Sequence, residues 1–446
     1  MKYSKMWLKD WWNILTNELK MIFSDWGVLL IFLVAGLIYP LLYNIVYYNG
    51  ILNETPIAVV DESGSALSRR FTREVDATRE VKVVYHCATM GEAQQLMQER
   101  KAFGIMYFPE GYDKKIMAHE TASVSIYCDM SSFLYYKNAM MAANHVLLDE
   151  MDTIQGDNFR AAGFTDQQIE ELTHFIPYEE NNPYNRAFSY SIFLVSVILL
   201  IIIQQTMFYG MSLLAGTMRE RNRSFASLPD TLQGHGMCRV VLGRGSAYGL
   251  LYMIISLYIM LIVPAIFGLP QRGDFWDLMI LALFFVTDCV FFSMFWSTFI
   301  TRRESVFILF LFMSPICLFL TGTSWPAVAF PKFWSWFSYL FPTTFGCKAF
   351  INMSVAGGGL AEAAECFFAM TIQIIVYFLL ANIAVMVENK LLYASLAKNL
   401  NWKSRRYIAP QVTQLSAKLN TGSKNLNGCP PSHGTQSGHT VSIRGK

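Results

Sequence analysis

Residues 27–65 read GVLLIFLVAGLIYPLLYNIVYYNGILNETPIAVVDESGS, and two unlike structures meet within them. Residues 27–46 contain no Asp, Glu, Lys, Arg or His. A helix rises about 1.5 Å per residue, so roughly 20 apolar residues cross a hydrocarbon core of about 30 Å. Ile57, Ala58, Val59 and Val60 then run into Asp61, Glu62, Ser63 and Gly64. That is a short apolar strand closed by a turn signal. A membrane helix leads here into a folded polar domain.

Long apolar runs recur further along. Residues 187–218, 245–271 and 305–331 hold no charged residue or His, nor does 366–387, and 278–301 is broken only by Asp288. The whole chain is 53% hydrophobic and 15% charged. A soluble domain carries roughly 25% charged residues. The expected fold is an α-helical polytopic membrane protein of about six transmembrane helices with an inserted α/β domain. The expected spans are 27–46 and, beyond the insert, about 187–215, 245–268, 278–300, 305–324 and 366–387. The first run is followed by bulky, Tyr-rich residues at 44–50, so it reads as a retained helix and not a cleaved leader.

Net charge is only +2, which supplies no field for nucleic acid. The eight Cys contain no C-x-x-C pair, so no zinc site is expected. Short loops set the orientation. Arg219, Arg221, Arg223, Arg239 and Arg244 lie between the second and third spans, and Arg302 and Arg303 between the fourth and fifth. Lys390, Lys398, Lys403, Arg405 and Arg406 follow the last. By the positive-inside rule that side, with both termini, is cytoplasmic, and the insert at 47–186 is outside.

Residues 1–26 read as an amphipathic interfacial helix on the cytoplasmic side. Leu8, Trp11, Trp12, Leu15, Leu19 and Ile22 share one face, with Asp10, Asn13, Asn17 and Lys20 opposite. Within the insert, strands at 56–61, 81–85, 103–108 and 123–127 alternate with helices, which argues for a mostly parallel sheet. The Asp61-Glu62-Ser63-Gly64 turn invites a phosphate-loop reading, but a β-to-α turn with a Ser helix cap is favoured. Cys87 and Cys128 each end a strand, and a disulfide would require neighbouring strands. Residues 401–446 read as a disordered cytoplasmic tail, rich in Gly, Ser, Asn, Thr and Pro beyond 410.

One span, a large α/β insert and five further spans around a basic loop resemble the membrane subunit of an ABC-2-type exporter. The resemblance is to the branch with a large extracytoplasmic domain between the first two transmembrane helices. It covers most of the chain up to about residue 400. Residues 56–65 (PIAVVDESGS) are similar to that branch's opening strand and turn, and 102–112 (AFGIMYFPEGY) to its third strand. Pro326, Pro331, Trp334 and Phe341-Pro342-Thr343-Thr344 resemble its external Pro-and-aromatic segment. The match is imperfect where Arg223 stands at a position that is commonly Gly.

The resemblance implies an ATP-driven permease moving an amphiphilic substrate, such as a drug or lipid, outward by alternating access across a bacterial inner membrane. It implies a pair of permease chains, a homodimer or heterodimer, with a separate ABC ATP-binding subunit and a periplasmic adaptor as a further partner. No G-x-x-x-x-G-K-[ST] occurs, so ATP and Mg belong to the partner subunit and this chain binds no cofactor. No catalytic residue is expected. The ATPase-docking candidates are Arg219, Glu220, Arg221, Arg223, Ser224 and Phe225. Asp288 is the translocation-path candidate, because an ionisable group within a span is a functional hypothesis by default. The rival readings are a sensor whose external domain binds a ligand, and a membrane enzyme using Asp288 as an acid.

Overall fold

The structure, a computed structural model, describes residues 2–48, 50–118, 120–173, 184–185, 189–220 and 237–407. Helix α1 (Lys2–Ser24) runs up to Asp25, which caps α2 (Trp26–Val46) by accepting from the Gly27 and Val28 amides. Leu30–Ala35 within α2 is a π-helical turn.

The inserted domain follows. Its sheet has β1 (Thr55–Asp61), β2 (Val81–Cys87), β3 (Gly104–Phe108) and β4 (Ser125–Cys128) in the order β2-β1-β3-β4. The first three are parallel and β4 is antiparallel. Helices α3 (Ala66–Asp76), α4 (Met90–Gln98), α5 (Tyr112–Met117) and α6 (Phe133–Ala161) cover it. Side chains alternate across a strand, so β1 serves two cores. Ile57 and Val59 face Phe71, Val75, Ala142 and Val146, while Ala58 and Val60 face Ala93. Arg70 of α3 holds Glu150 of α6 through two hydrogen bonds, the Nε–Oε1 one at 2.8 Å.

Cys87 and Cys128 are both free thiols. They end β2 and β4, the two opposite edges of the sheet. Three strand spacings of about 4.8 Å separate such edges, against a Cα limit of about 7 Å for a disulfide.

A short α7 (Asp166–Thr173) precedes the membrane bundle. The bundle contains α8 (Tyr190–Glu220), α9 (Met237–Ile266), α10 (Phe275–Ser297), α11 (Ser305–Leu320), α12 (Lys332–Ser338), α13 (Pro342–Phe350) and α14 (Ala364–Tyr407). Among the described residues, five helices are long and apolar enough to cross a membrane: α2, α8, α9, α10 and α14. Helix α8 is apolar on all sides and buried along its apolar length, as a central helix must be. α2 and α14 leave Leu30, Ile38, Leu42, Phe368, Ile375 and Leu379 exposed, as helices facing lipid do. The last helix remains regular through Tyr407, past the expected start of a disordered tail at 401; residues 408–446 lie outside the described ones.

The run expected to span at 305–324 forms a shorter helix instead. α11 has 16 residues and rises only about 24 Å. Its Cys317 and Ser314 meet Gln204 and Gln205, halfway along α8. α13 starts at that same level, where the Thr343 amide donates to Gln204 Oε1 at 2.8 Å. It then climbs through a π-helical turn at Ile351–Val355 to Ser354, whose carbonyl accepts from Arg272 in the α9–α10 loop. Phe341 and Thr343 are 2% and 0% exposed. The Phe341–Thr344 stretch, expected in an external segment, is therefore packed inside the bundle. Gly346 makes this fit: a Cβ there would overlap the Phe285 ring of α10.

Candidate functional site

Four of the basic residues that orient the chain, Arg219, Arg239, Arg244 and Arg303, lie at one end of the bundle, each against an acid. α1 lies along the start of α9. Asp10, Ile14, Glu18 and Ile22 form its buried stripe, spaced one turn apart. Asp10 was expected on the outer polar face; it is 5% exposed and pairs with Arg239 at 3.2 Å. Glu18 accepts from Tyr248 Oη at 3.0 Å and lies 3.4 Å from Arg244 Nε. Trp12 and Leu8 take the exposed side instead, each 58% accessible. Two facing acids can be buried on an apolar helix face because each has a cation opposite it.

Arg303 closes the same end. It forks onto Asp25 at 2.7 and 2.9 Å, donates to Thr217 Oγ1 at 2.8 Å, and gives its amide to Glu220 Oε1 at 2.8 Å. Burial raises the Asp25 pKa, but the Arg303 contact and the Val28 and Gly27 amides outweigh it and leave the carboxyl below its usual range. The Asp25 carboxylate in turn raises the Arg303 pKa, against the effect of burial. Arg219 donates to Glu388 of α14 and to the carbonyls of Ser297 and Ile300 at the end of α10. Arg219 and Glu220 thus join α8 to the end of α10, to α14 and to the turn that follows α10. Arg221, Arg223, Ser224 and Phe225 lie outside the described residues.

A groove of about 540 Å³ opens between α2, α8 and α11. Tyr39 and Tyr43 of α2 and Tyr47 at its C-terminal cap line it at successive turns, with Ile198, Ile201 and Ile202 from α8. Its wall is mostly apolar, with a polar point at mid-depth where Ser314 donates to Gln205 Oε1 at 2.7 Å. Beside it α2 and α8 touch closely, because Gly210 leaves room for the Phe32 ring. Asp288 does not line this groove; it is wholly buried among α10, α13 and α14. Sequence reading missed the groove. The i, i+4, i+8 spacing of the three tyrosines was its available signal.

In the inserted domain the Asp61 turn is structural. Asp61 accepts from the Ser63 and Gly64 amides at 3.1 and 3.0 Å, so the carboxylate takes the amides that a phosphate would need. Gly64 has φ +55°, which favours glycine, and Ser65 caps α3.

Residues 26–383 match the family model of the ABC-2 family transporter proteins, and the chain belongs to that family. It is therefore a multi-pass membrane permease subunit of an ABC transporter, the kind of subunit that works with an ABC ATP-binding partner. No protein with a curated description matches the chain.

Proposed function

We propose that this chain is the permease of an ATP-driven exporter that carries an amphiphilic molecule, a drug or lipid, outward by alternating access. The observation that carries this reading is the groove between α2, α8 and α11, apolar with a Tyr ladder and a mid-depth polar point. An amphiphile needs both an apolar wall and a few placed polar groups. The arginine-rich end, with both termini, faces the cytoplasm of a bacterial inner membrane. A separate subunit holding ATP and Mg docks there, on the segment beginning at Arg219. Two permease chains, identical or paired with a relative, assemble with two such subunits. The inserted domain faces outward and contacts its twin or a periplasmic adaptor. Attached to both α2 and α8, it transmits their separation.

Filling the groove tests the reading. Ile201→Trp should block ATP-driven accumulation of a fluorescent amphiphile in inverted vesicles, while the complex with the ATPase still assembles. Undiminished accumulation would remove the groove from the path. Deleting residues 55–182 behind a Gly/Ser linker tests the inserted domain. Full export without the domain would end the proposal that it makes required contacts.

A further inference from the structure

Several buried polar atoms without a hydrogen-bond partner among the described residues come from three helices at one depth: both carboxylate oxygens of Asp288, Thr343 Oγ1 and Gln373 Oε1. Ring contacts fix that depth. Phe292 of α10 lies 5.3 Å from Tyr377 of α14, and Phe284 lies 5.3 Å from Phe367. The two helices run in the same direction, so one turn back from the Phe292–Tyr377 pair brings Asp288 level with Gln373. On the other side Phe292 lies 6.0 Å from Phe341, and Phe285 packs on Gly346 of α13. Asp288 stands between those rings and so falls level with Thr343 and Thr344. Asp288 and Thr343 are both 0% exposed, and Gln373 is 8% exposed.

What this set lacks is hydrogen. The Gln373 amide nitrogen already donates to Tyr339 O at 2.7 Å, and the Thr343 amide already donates to Gln204. That leaves more acceptor positions than donors, the donors being the Thr343 hydroxyl and the second amide hydrogen of Gln373. No cation compensates, since among the described residues no Lys, Arg or His makes an ion pair or hydrogen bond with Asp288. Arg219 bonds the Ser297 carbonyl, about 13 Å further along α10. Of the titratable groups on the packed helices, Tyr377 faces Asp288 and donates to Leu340 O at 2.6 Å. Cys289 is next to it on α10, with Cys347 of α13, Cys317 of α11 and Tyr252 of α9 nearby. None of these thiols or phenols supplies a positive charge.

We propose that Asp288, Thr343 and Gln373 form a proton-binding site in the middle of the membrane. One proton completes the set. Thr343 Oγ–H donates to one Asp288 oxygen, and the other, as O–H, donates to Gln373 Oε1. The proton thereby pins the half-helix α13 between α10 and α14. Losing it leaves a bare carboxylate in a dry bundle, a state that releases this contact. Proton exchange at Asp288 is thus linked to movement of α13. The site is separate from the groove and stands or falls without it.

Infrared spectroscopy of the full chain in nanodiscs, with Asp carboxyls isotope-labelled, reads the proton directly. At neutral pH the wild type should show a protonated-carboxyl C=O band that Asp288→Asn lacks. Loss of ionised-carboxylate bands alone in that variant would overturn the proposal. Gln373→Leu, which removes the acceptor, should shift the band; an unmoved band would overturn the assigned partner. Linkage gives a second readout. The folded chain holds a proton that the unfolded chain releases above about pH 4. Wild-type thermal stability should fall relative to Asp288→Asn as pH rises from about 5 to about 8, and parallel curves would count against the site.

Discussion

Arg219 grips Glu388 at two points, Nε to Oε1 at 2.8 Å and Nη2 to Oε2 at 3.2 Å, and so ties the end of α8 to α14. The same guanidinium donates to the Ser297 and Ile300 carbonyls, at and just past the end of α10. One side chain thus joins three helices. Arg suits this role because its planar fork has five donors.

Arg219→Gln should destabilise the chain by about 2 kcal/mol, since a half-buried carboxylate and two carbonyls lose a charged donor at once. Glu388→Gln should cost less, about 1 kcal/mol. The charge swap Arg219→Glu with Glu388→Arg should not restore the loss, because the carbonyl contacts stay broken. Thermal unfolding in detergent measures all three. Full recovery in the swap would mean that the ion pair alone matters.

The Asp25–Arg303 pair carries a pH signature. Its carboxyl lies below the ordinary range when folded. Such a group contributes stability above its unfolded value, about pH 4, and that stability is lost as pH falls through the folded value. Thermal stability should therefore drop on acidification below about pH 4, and Asp25→Asn should flatten that part of the curve. An identical acid limb in the variant would show that Asp25 is not responsible.

Gly210→Ala should be tolerated poorly, by about 1–3 kcal/mol, because its methyl would enter the space of the Phe32 ring. Phe32→Leu should recover part of the loss by freeing that space. Measured unfolding of the single and double variants tests the contact between α2 and α8. Simple additivity of the two losses would contradict it.

Docking and topology can be checked together. Arg221→Gln with Arg223→Gln should weaken co-purification of the ATP-binding subunit while membrane insertion stays normal. Single-Cys variants at Asn53, Asp113 and Asp157 should react with an impermeant thiol reagent on intact cells. Those at Arg302 and Lys398 should not. External labelling at 302 would reverse the orientation set by the arginines.

Much of the architecture was legible in the chain. Apolar runs located the five long helices, since hydrocarbon accepts little else over about 30 Å. Period-two strands and turn residues such as Asp61 and Gly64 revealed the inserted α/β domain. Asp10 was placed on the outer face of α1 because it is polar by type, and polarity alone does not show that Arg239 waits opposite. Phe341–Thr344 was misplaced because Pro and aromatic residues suit a surface turn as well as a broken helix buried mid-bundle.

Composition and order along the chain, by themselves, determined the class: a polytopic membrane protein with an α/β insert, in an order that already resembled the ABC-2 pattern. Both follow from local physics, hydropathy over a helix length and alternation along a strand. Only the tertiary structure decided which residues meet. The Arg219–Glu388 tie, the groove behind Tyr39, Tyr43 and Tyr47, and the seclusion of Asp288 each depend on helices far apart in the chain. Their contacts depend on which face each helix turns inward. That choice is made by packing small residues such as Gly210 and Gly346 against the rings of Phe32 and Phe285, a constraint between helices that no local window of sequence contains.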